Sequence, residues 1–453
     1  QGNVLEAAKY YRYYINKGFQ DPRAFANYGV ILKNQGNLKE AELLQRKAIK
    51  INPNFVNAYS NLGNILRDAG KLDEAEICTR KAIQIAPDSA YAHLNLGCIL
   101  KDLDKLQEAE ISIRKAIKIK PDYAEAYNNL GTILRDHGNL QEAEISYRKA
   151  IKLNPKSASA NHGLSHVLLK AKKFKEAWNL YEWRWKVKSI KGSIGKKLDS
   201  SKPEWARNNR GRVLLWPEQG IGDILLFSSL IPELLNEVDL LIFQVDKRLI
   251  PIFKRSFDKK IIYIDENDFL AEENYDYQIP IGSLPKIFRN TKESFDKVQK
   301  KYLKADENKT SIYTNKIKDN KFTKIIGISW RSESKVNNKS LSLEEFMLAI
   351  YSPKICFVNL QYGDTKNEII NLKTKYRIQI YEIEEVDNFN DLDGLASVIN
   401  ACDEVVSIDN VTLHLAGSIG KKTNILLSYK CHWYHGIDDK KSYWFPTVNF
   451  FRQ

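Results

Sequence analysis

The sequence contains a single methionine and only five cysteines in 453 residues. The cysteines, at 78, 98, 356, 402 and 431, have neither paired nor metal-type spacing. That excludes a disulfide framework and a cysteine-built metal site, and it predicts a reduced, cytoplasmic setting. Apolar runs are short: none approaches the roughly 18 residues that a membrane span needs. Residue 1 is Gln, and "QGNVLEAAKYY" lacks the basic stretch followed by an apolar one of a secretory signal. A start of this kind is what a chain truncated at the front is expected to look like. No His, Cys and Asp cluster has metal-ligand spacing, so no metal or other cofactor is expected. Tryptophan is missing from the first 177 residues; all eight lie at or after 178.

Apolar residues make up 43% of the chain, enough for real cores in two or three domains. The first half repeats. Gly29, Gly63, Gly97 and Gly131 are 34 apart, and Ala7, Ala41, Ala75, Ala109, Ala143 and Ala177 keep the same step, as do Pro53, Pro87, Pro121 and Pro155. One unit reads "NLGNILRDAGKLDEAEICTRKAIQIAPD". Small residues sit where two helices must touch, a Gly or Asn ends the first helix, and Pro follows the second, where it cannot continue it. This pattern resembles the tetratricopeptide repeat over residues 1–185. One unit cannot bury its face alone, so the resemblance implies a stacked α-solenoid with a concave surface. The last unit departs from the pattern: Ser165 takes the glycine position, and "WNLYEWRW" closes its second helix. That aromatic segment reads either as a plain end cap or as a cap that docks on the next domain.

Asn27, Asn61, Asn95 and Asn129 recur two residues before each glycine. A row of amides on one face can pair with the backbone of an extended peptide whatever its sequence. The row resembles the amide ladder of O-GlcNAc transferase, which implies a peptide acceptor; Asn is equally at home at this position in repeats with no such role, and both readings stand.

After the polar linker at 186–206 the periodicity changes. "RVLLW", "LLIFQV", "IIYID" and "YQIPI", then "KIIGISW", "ICFVNLQ", "IQIYEI", "EVVSID" and "TNILLS", are short apolar runs with helical patterns between them. They predict two Rossmann-like, doubly wound α/β domains, at 207–310 and 311–453, joined by the polar "KADENKTSIYTNKIKDN". Ligands of facing α/β domains bind beyond the strand ends. Three strand ends are polar: "EQGIGD", "SWRSESKVNNKS" and "SIDNVTLHLAG".

"GIGDILLFSSLIPEL" and "SIDNVTLHLAGSIGKKTNILL" together resemble glycosyltransferase family 9, the heptosyltransferase-like enzymes with the GT-B fold. "PEW", "LWPEQGIGD", "GSLP", "YLKAD", "NLQYGD", "DLDGLASVINACDEVVSIDNVTLHLAG" and "FFRQ" are similar to a bacterial subgroup that fuses tetratricopeptide repeats to such a transferase domain. The resemblance implies that the acid of the glycine turn, Asp223, is the general base that deprotonates an acceptor hydroxyl. The other reading of Asp223 is a helix cap. Gln219, Gly220 and Gly222 belong to the acceptor-side loop, the glycines removing side-chain bulk. On the donor side the helix after Asp409 is suited by its N–H groups and dipole to a pyrophosphate. Asp409 is expected to cap that helix and to hold a sugar hydroxyl. The resemblance further places Asn410 and His414 at the donor. Lys339 and Ser340 match the family's basic position on the leaving phosphate, with Lys335 as a rival. Arg331 and Trp330 end their strand, Trp330 either stacking on the base or packing, and Gln361 is a candidate for the base or ribose.

Lys and Arg outnumber Asp and Glu, 70 to 56, a net charge of +14 that suits an acidic partner such as a nucleotide-sugar. No nucleic-acid motif accompanies it. The expectation is a metal-independent inverting glycosyltransferase acting on a protein acceptor held by the repeats. The alternatives are a heptosyltransferase-like enzyme acting on a lipid-linked sugar, and a tetratricopeptide scaffold with a degenerate transferase domain. A Rossmann dehydrogenase is excluded: "GIGDIL" lacks the third glycine and no acid ends the second strand.

Overall fold

The computed structural model describes residues 4–187, 197–257, 260–318, 321–332, 340–428 and 431–452. By contact the chain divides into two compact units, Gln1–Leu164 and Ser165–Gln453. No helix among the described residues is long and apolar enough to cross a membrane.

The first unit is a run of antiparallel helix pairs whose period is the sequence period. First helices begin at 22, 56, 90 and 124, and second helices at 38, 72, 106 and 140. Local chemistry starts and stops them. Asp21 caps Pro22–Asn34 by accepting from Arg23 N–H, and Asn139 caps Leu140–Leu153 by accepting from Glu142 N–H. Gly36, Gly70 and Gly138 take positive φ in the turns, and Asp104 takes the same conformation in the repeat that lacks a glycine there. The other glycines are required by close approach. A Cβ on Gly97 would lie 2.5 Å from Ile113 Cγ1, and one on Gly131 2.9 Å from the Tyr147 ring. The alanines at 41, 75, 109 and 143 are wholly buried against these contacts. This is the stacked solenoid that the spacing predicts.

The helix Ala158–Lys170 carries the chain into the second unit, which contains the tryptophans and two parallel sheets. The first sheet is built from β1 (Arg212–Trp216), β2 (Leu240–Val245), β3 (Ile261–Asp265) and β4 (Tyr277–Pro280) in the order β3-β2-β1-β4. The second is built from β5 (Lys324–Ser329), β6 (Ile355–Asn359), β7 (Ile380–Tyr381), β8 (Glu404–Ile408), β9 (Thr423–Leu427) and β10 (Val448–Arg452) in the order β10-β9-β8-β5-β6-β7. Every neighbouring pair is parallel. Parallel pairing needs crossovers, and helices such as Leu392–Ala401 provide them. Strand order reverses between β1 and β4 in one sheet and between β5 and β8 in the other, the places where such sheets open a crevice.

Two local readings change. The polar stretch expected to be a joiner folds into the helix Glu307–Ile317, because Asp306 caps it by accepting from Lys309 N–H at 2.9 Å. The helix Val411–Ser418 is capped by Asn410, not Asp409: the extended backbone continues through Asn410, whose side chain then meets Thr412 and Leu413 N–H.

Candidate functional site at the strand ends

From the end of β1 the chain runs through Pro217–Gly220 into the helix Ile221–Ser228. Gly220 is its cap residue, so Asp223 stands in the first turn rather than at the cap, half-buried. A Cβ on Gly220 would meet nothing within 4 Å; one on Gly222 would lie 3.0 Å from His414 Cδ2 and 3.2 Å from its Nε2. Gly222 therefore lets the turn after β1 touch the helix after β8. Two phenols feel the Asp223 carboxylate. Burial first pushes the Tyr181 and Tyr434 hydroxyls well up; Arg184 opposes this at Tyr181, where Asp223 and Glu218 add to it, and Asp409 and then Asp223 add to it at Tyr434.

The other half follows β8. Asp409, buried, accepts from Tyr434 Oη at 3.1 Å through Oδ1, and its Oδ2 lies 3.2 Å from His435 Nε2. Tyr434 Oη is also 3.2 Å from His414 Nε2. The single phenol proton goes to Asp409, so His414 donates through Nε2. His432 stacks on Tyr434 at 5.1 Å and 11°, with Nε2 4.0 Å from Asp409 Oδ2. The result is a hydrogen-bonded line, Asp409–Tyr434–His414, ending against Gly222, with His435 at ion-pair distance from Asp409. Asp409 and His414 were legible in the sequence; His432, Tyr434 and His435 were missed. Two of the chain's seven histidines flanking Trp and Tyr in "HWYH" were the available signal.

The remaining sequence candidates divide. Asn410 Oδ1 accepts from Thr412 and Leu413 N–H and from Ser407 Oγ, and its Nδ2 donates to Ser329 Oγ at 2.7 Å and to Arg331 O at 3.1 Å. Two N–H groups expected to face a phosphate are thus already engaged, by the cap. Trp330 is fully buried in the core of the second sheet and packs there, with no face for a base. Gln361, also buried, ties strand ends together: its Oε1 accepts from Ser329 Oγ and from Trp330 and Arg331 N–H, at 2.9–3.0 Å. Arg331 pairs with Glu368 at 2.6 Å and donates to Asp364 O. Ser340 closes its loop on the Ser332 backbone. Lys335 and Lys339 lie outside the described residues. Gln219 exchanges hydrogen bonds with Tyr181 Oη at 2.9 and 3.2 Å. Among the described residues no group of three or more His, Cys, Asp or Glu is placed to hold a metal.

In the first unit the recurring asparagines bond to neighbouring helices. Asn27 donates to Tyr11 Oη at 3.1 Å, Asn95 to Ser60 O at 3.3 Å and Asn129 to Cys98 Sγ at 3.3 Å, while Asn61 accepts from Tyr91 Oη at 3.5 Å. Asn95 is buried, Asn27 exposed and the other two intermediate.

Sequence models of the tetratricopeptide repeat match residues 22–55, 56–89, 90–123 and 124–157, four consecutive units. The chain carries tetratricopeptide repeats. It is similar to a curated protein, Protein FlbA of Caulobacter vibrioides, with 27% identity over 296 residues, 61% of this chain and 49% of that protein. The chain thus spans about half the length of the curated relative it matches. That coverage exceeds what the first unit can hold, so the likeness extends into the second. Solved structures similar to part of the chain include PilF of Pseudomonas aeruginosa (22% identity, TM-score 0.34, covering 36% of this chain and 74% of that one) and YrrB, described as a tetratricopeptide protein with an unusual peptide-binding site (19%, 0.31, 41% and 95%).

Proposed function

We propose that the second unit is a metal-independent, inverting glycosyltransferase that moves a sugar from a nucleotide-sugar to an acceptor hydroxyl, and that the repeats hold a protein acceptor. One observation carries the reading. The turn bearing Asp223, from the reversal point of the first sheet, touches His414, from the reversal point of the second, across Gly222. The sequence resemblance to glycosyltransferase family 9 assigns Asp223 to one substrate and Asp409 with His414 to the other, and Gly222, next to Asp223, lies against His414.

The chemistry follows from the charges. Asp223 accepts the acceptor's hydroxyl proton as that oxygen bonds to the anomeric carbon. The bond from that carbon to the phosphate oxygen breaks, and its electron pair leaves with the nucleoside diphosphate. Cationic groups must balance the departing charge. His432, with 42% of its side chain exposed, and Lys339 of the basic loop are the candidates. Tyr434, itself bonded to His414, keeps the Asp409 carboxylate hydrogen-bonded and fixed. A protein acceptor is favoured over a lipid-linked one because tetratricopeptide repeats suit a polypeptide partner; Asn27, Asn61 and Asn129 remain available to it, whereas Asn95 is buried.

The test is a thermal-shift panel of nucleoside diphosphates with excess EDTA. At least one should raise the melting temperature, and Lys339→Ala should weaken that ligand about tenfold. Binding that disappears on chelation would overturn the metal-free mechanism.

A further inference from the structure

We propose that Tyr181 and Arg184, in the aromatic segment that follows the repeats, are positioning residues for Asp223, clamping the glycine turn from behind. The proposal rests on the reading of Asp223 as the base. Arg184 and Glu218 both have fully buried side chains and form an ion pair at 3.2 Å. Arg184 donates as well to Ser283 Oγ at 2.8 Å and to Glu182 at 2.8 Å, and its guanidinium lies 4.4 Å from the Trp185 ring centroid. Glu218 accepts from Gly282 N–H at 3.1 Å and from Gln219 Nε2 at 3.1 Å. Tyr181 Oη engages the Gln219 side chain. Glu218 and Gln219 are the two residues immediately before Gly220, so the helical segment Phe174–Lys186 holds the start of the turn.

The ion pair is a poor device for stability alone. Burial pushes the Glu218 carboxyl up even against Arg184, and an apolar pair of similar volume would pack at least as well. A buried pair held by this many partners, Arg184 Nε excepted, is fixed in one geometry. Here that geometry sets where the turn leaves β1, and with it the placement of Asp223 in the first turn beyond it. A base displaced by an ångström loses rate without losing its ligand. The same segment reaches the second sheet's loop, where Trp178 meets Trp433 edge-on at 5.3 Å, one residue before Tyr434. The segment is therefore part of the transferase site, not merely an end cap.

The experiment uses the full chain with Arg184→Met and Glu218→Leu combined, which removes the pair without leaving a buried charge. Three quantities are read: melting by tryptophan fluorescence, amide exchange of 217–226, and hydrolysis of the nucleotide-sugar whose diphosphate binds in the panel above. The variant should fold and keep its diphosphate affinity. The turn's amides should exchange about tenfold faster, and kcat should fall about tenfold or more with KM within about twofold. Tyr181→Phe removes one hydroxyl and is read by itself if the double variant does not fold; its kcat should fall about threefold with KM unchanged. Unchanged exchange and turnover in a folded variant overturn the proposal, as does a loss confined to KM. If the parent releases diphosphate from no nucleotide-sugar, with or without protein acceptors, the transferase reading fails, while exchange still decides whether the segment clamps the turn.

Discussion

Asp223→Asn should fold, melt and bind nucleoside diphosphate like the parent, while sugar transfer falls on the order of 10²-fold or more. The substitution keeps the side chain's size and shape and removes only its ability to take a proton. A capping role would predict almost no change, because Asn caps about as well as Asp. The structure already weakens the capping role: the cap residue is Gly220, and Asp223 stands inside the first turn. Equal turnover of parent and variant would remove Asp223 from the mechanism.

Trp178→Ala should destabilise the second unit by about 3–5 kcal/mol, the cost of emptying a large buried aromatic site. Trp178 is 1% exposed and meets Trp433 and Tyr181 edge-on at 5.3 and 5.5 Å. Its Nε1 donates to Arg289 O at 2.7 Å, so truncation also leaves that buried carbonyl without its donor. Tryptophan fluorescence reports on this unit alone, because all eight tryptophans lie at or after 178. Denaturant titration followed by fluorescence should show a midpoint lowered in proportion. A midpoint equal to the parent's would mean that Trp178 is not the anchor its burial suggests.

The solenoid was legible because a fixed period exposes every constraint several times. A glycine against Ile113 or Tyr147 repeats at the same place, and so does the alanine facing it. The strands were legible as apolar runs, because parallel strands covered on both faces need no polar alternation. Where the sequence misled, a polar atom had local work. Asp306 turned a polar joiner into a helix, and Asn410 took the cap expected of Asp409. β10 went unread, since "VNFFR" is short and follows a proline turn, and only its pairing with β9 identifies it. The same limit applies to the site. Asp409 and His414 belong to one contiguous motif, but Tyr434 and His435 reach Asp409 from 25 and 26 residues further along the chain. Trp330 and Gln361 carried the right chemistry for a nucleotide, but burial turned them inward to the core and to the strand ends. No spacing rule reveals that Arg184 and Glu218 pair with each other, 34 residues apart.

The central claim is the transfer of a sugar from a nucleotide, and nucleoside diphosphate release measures it most directly. The full chain would be incubated with a panel of nucleotide-sugars in excess EDTA, and the freed diphosphate quantified for the parent and for Asp223→Asn. The parent should release diphosphate from at least one donor, and the variant on the order of 10²-fold less. Tight binding of a nucleotide-sugar by the parent with no release, in the presence or absence of protein acceptors, would contradict it and leave a scaffold with a degenerate transferase domain.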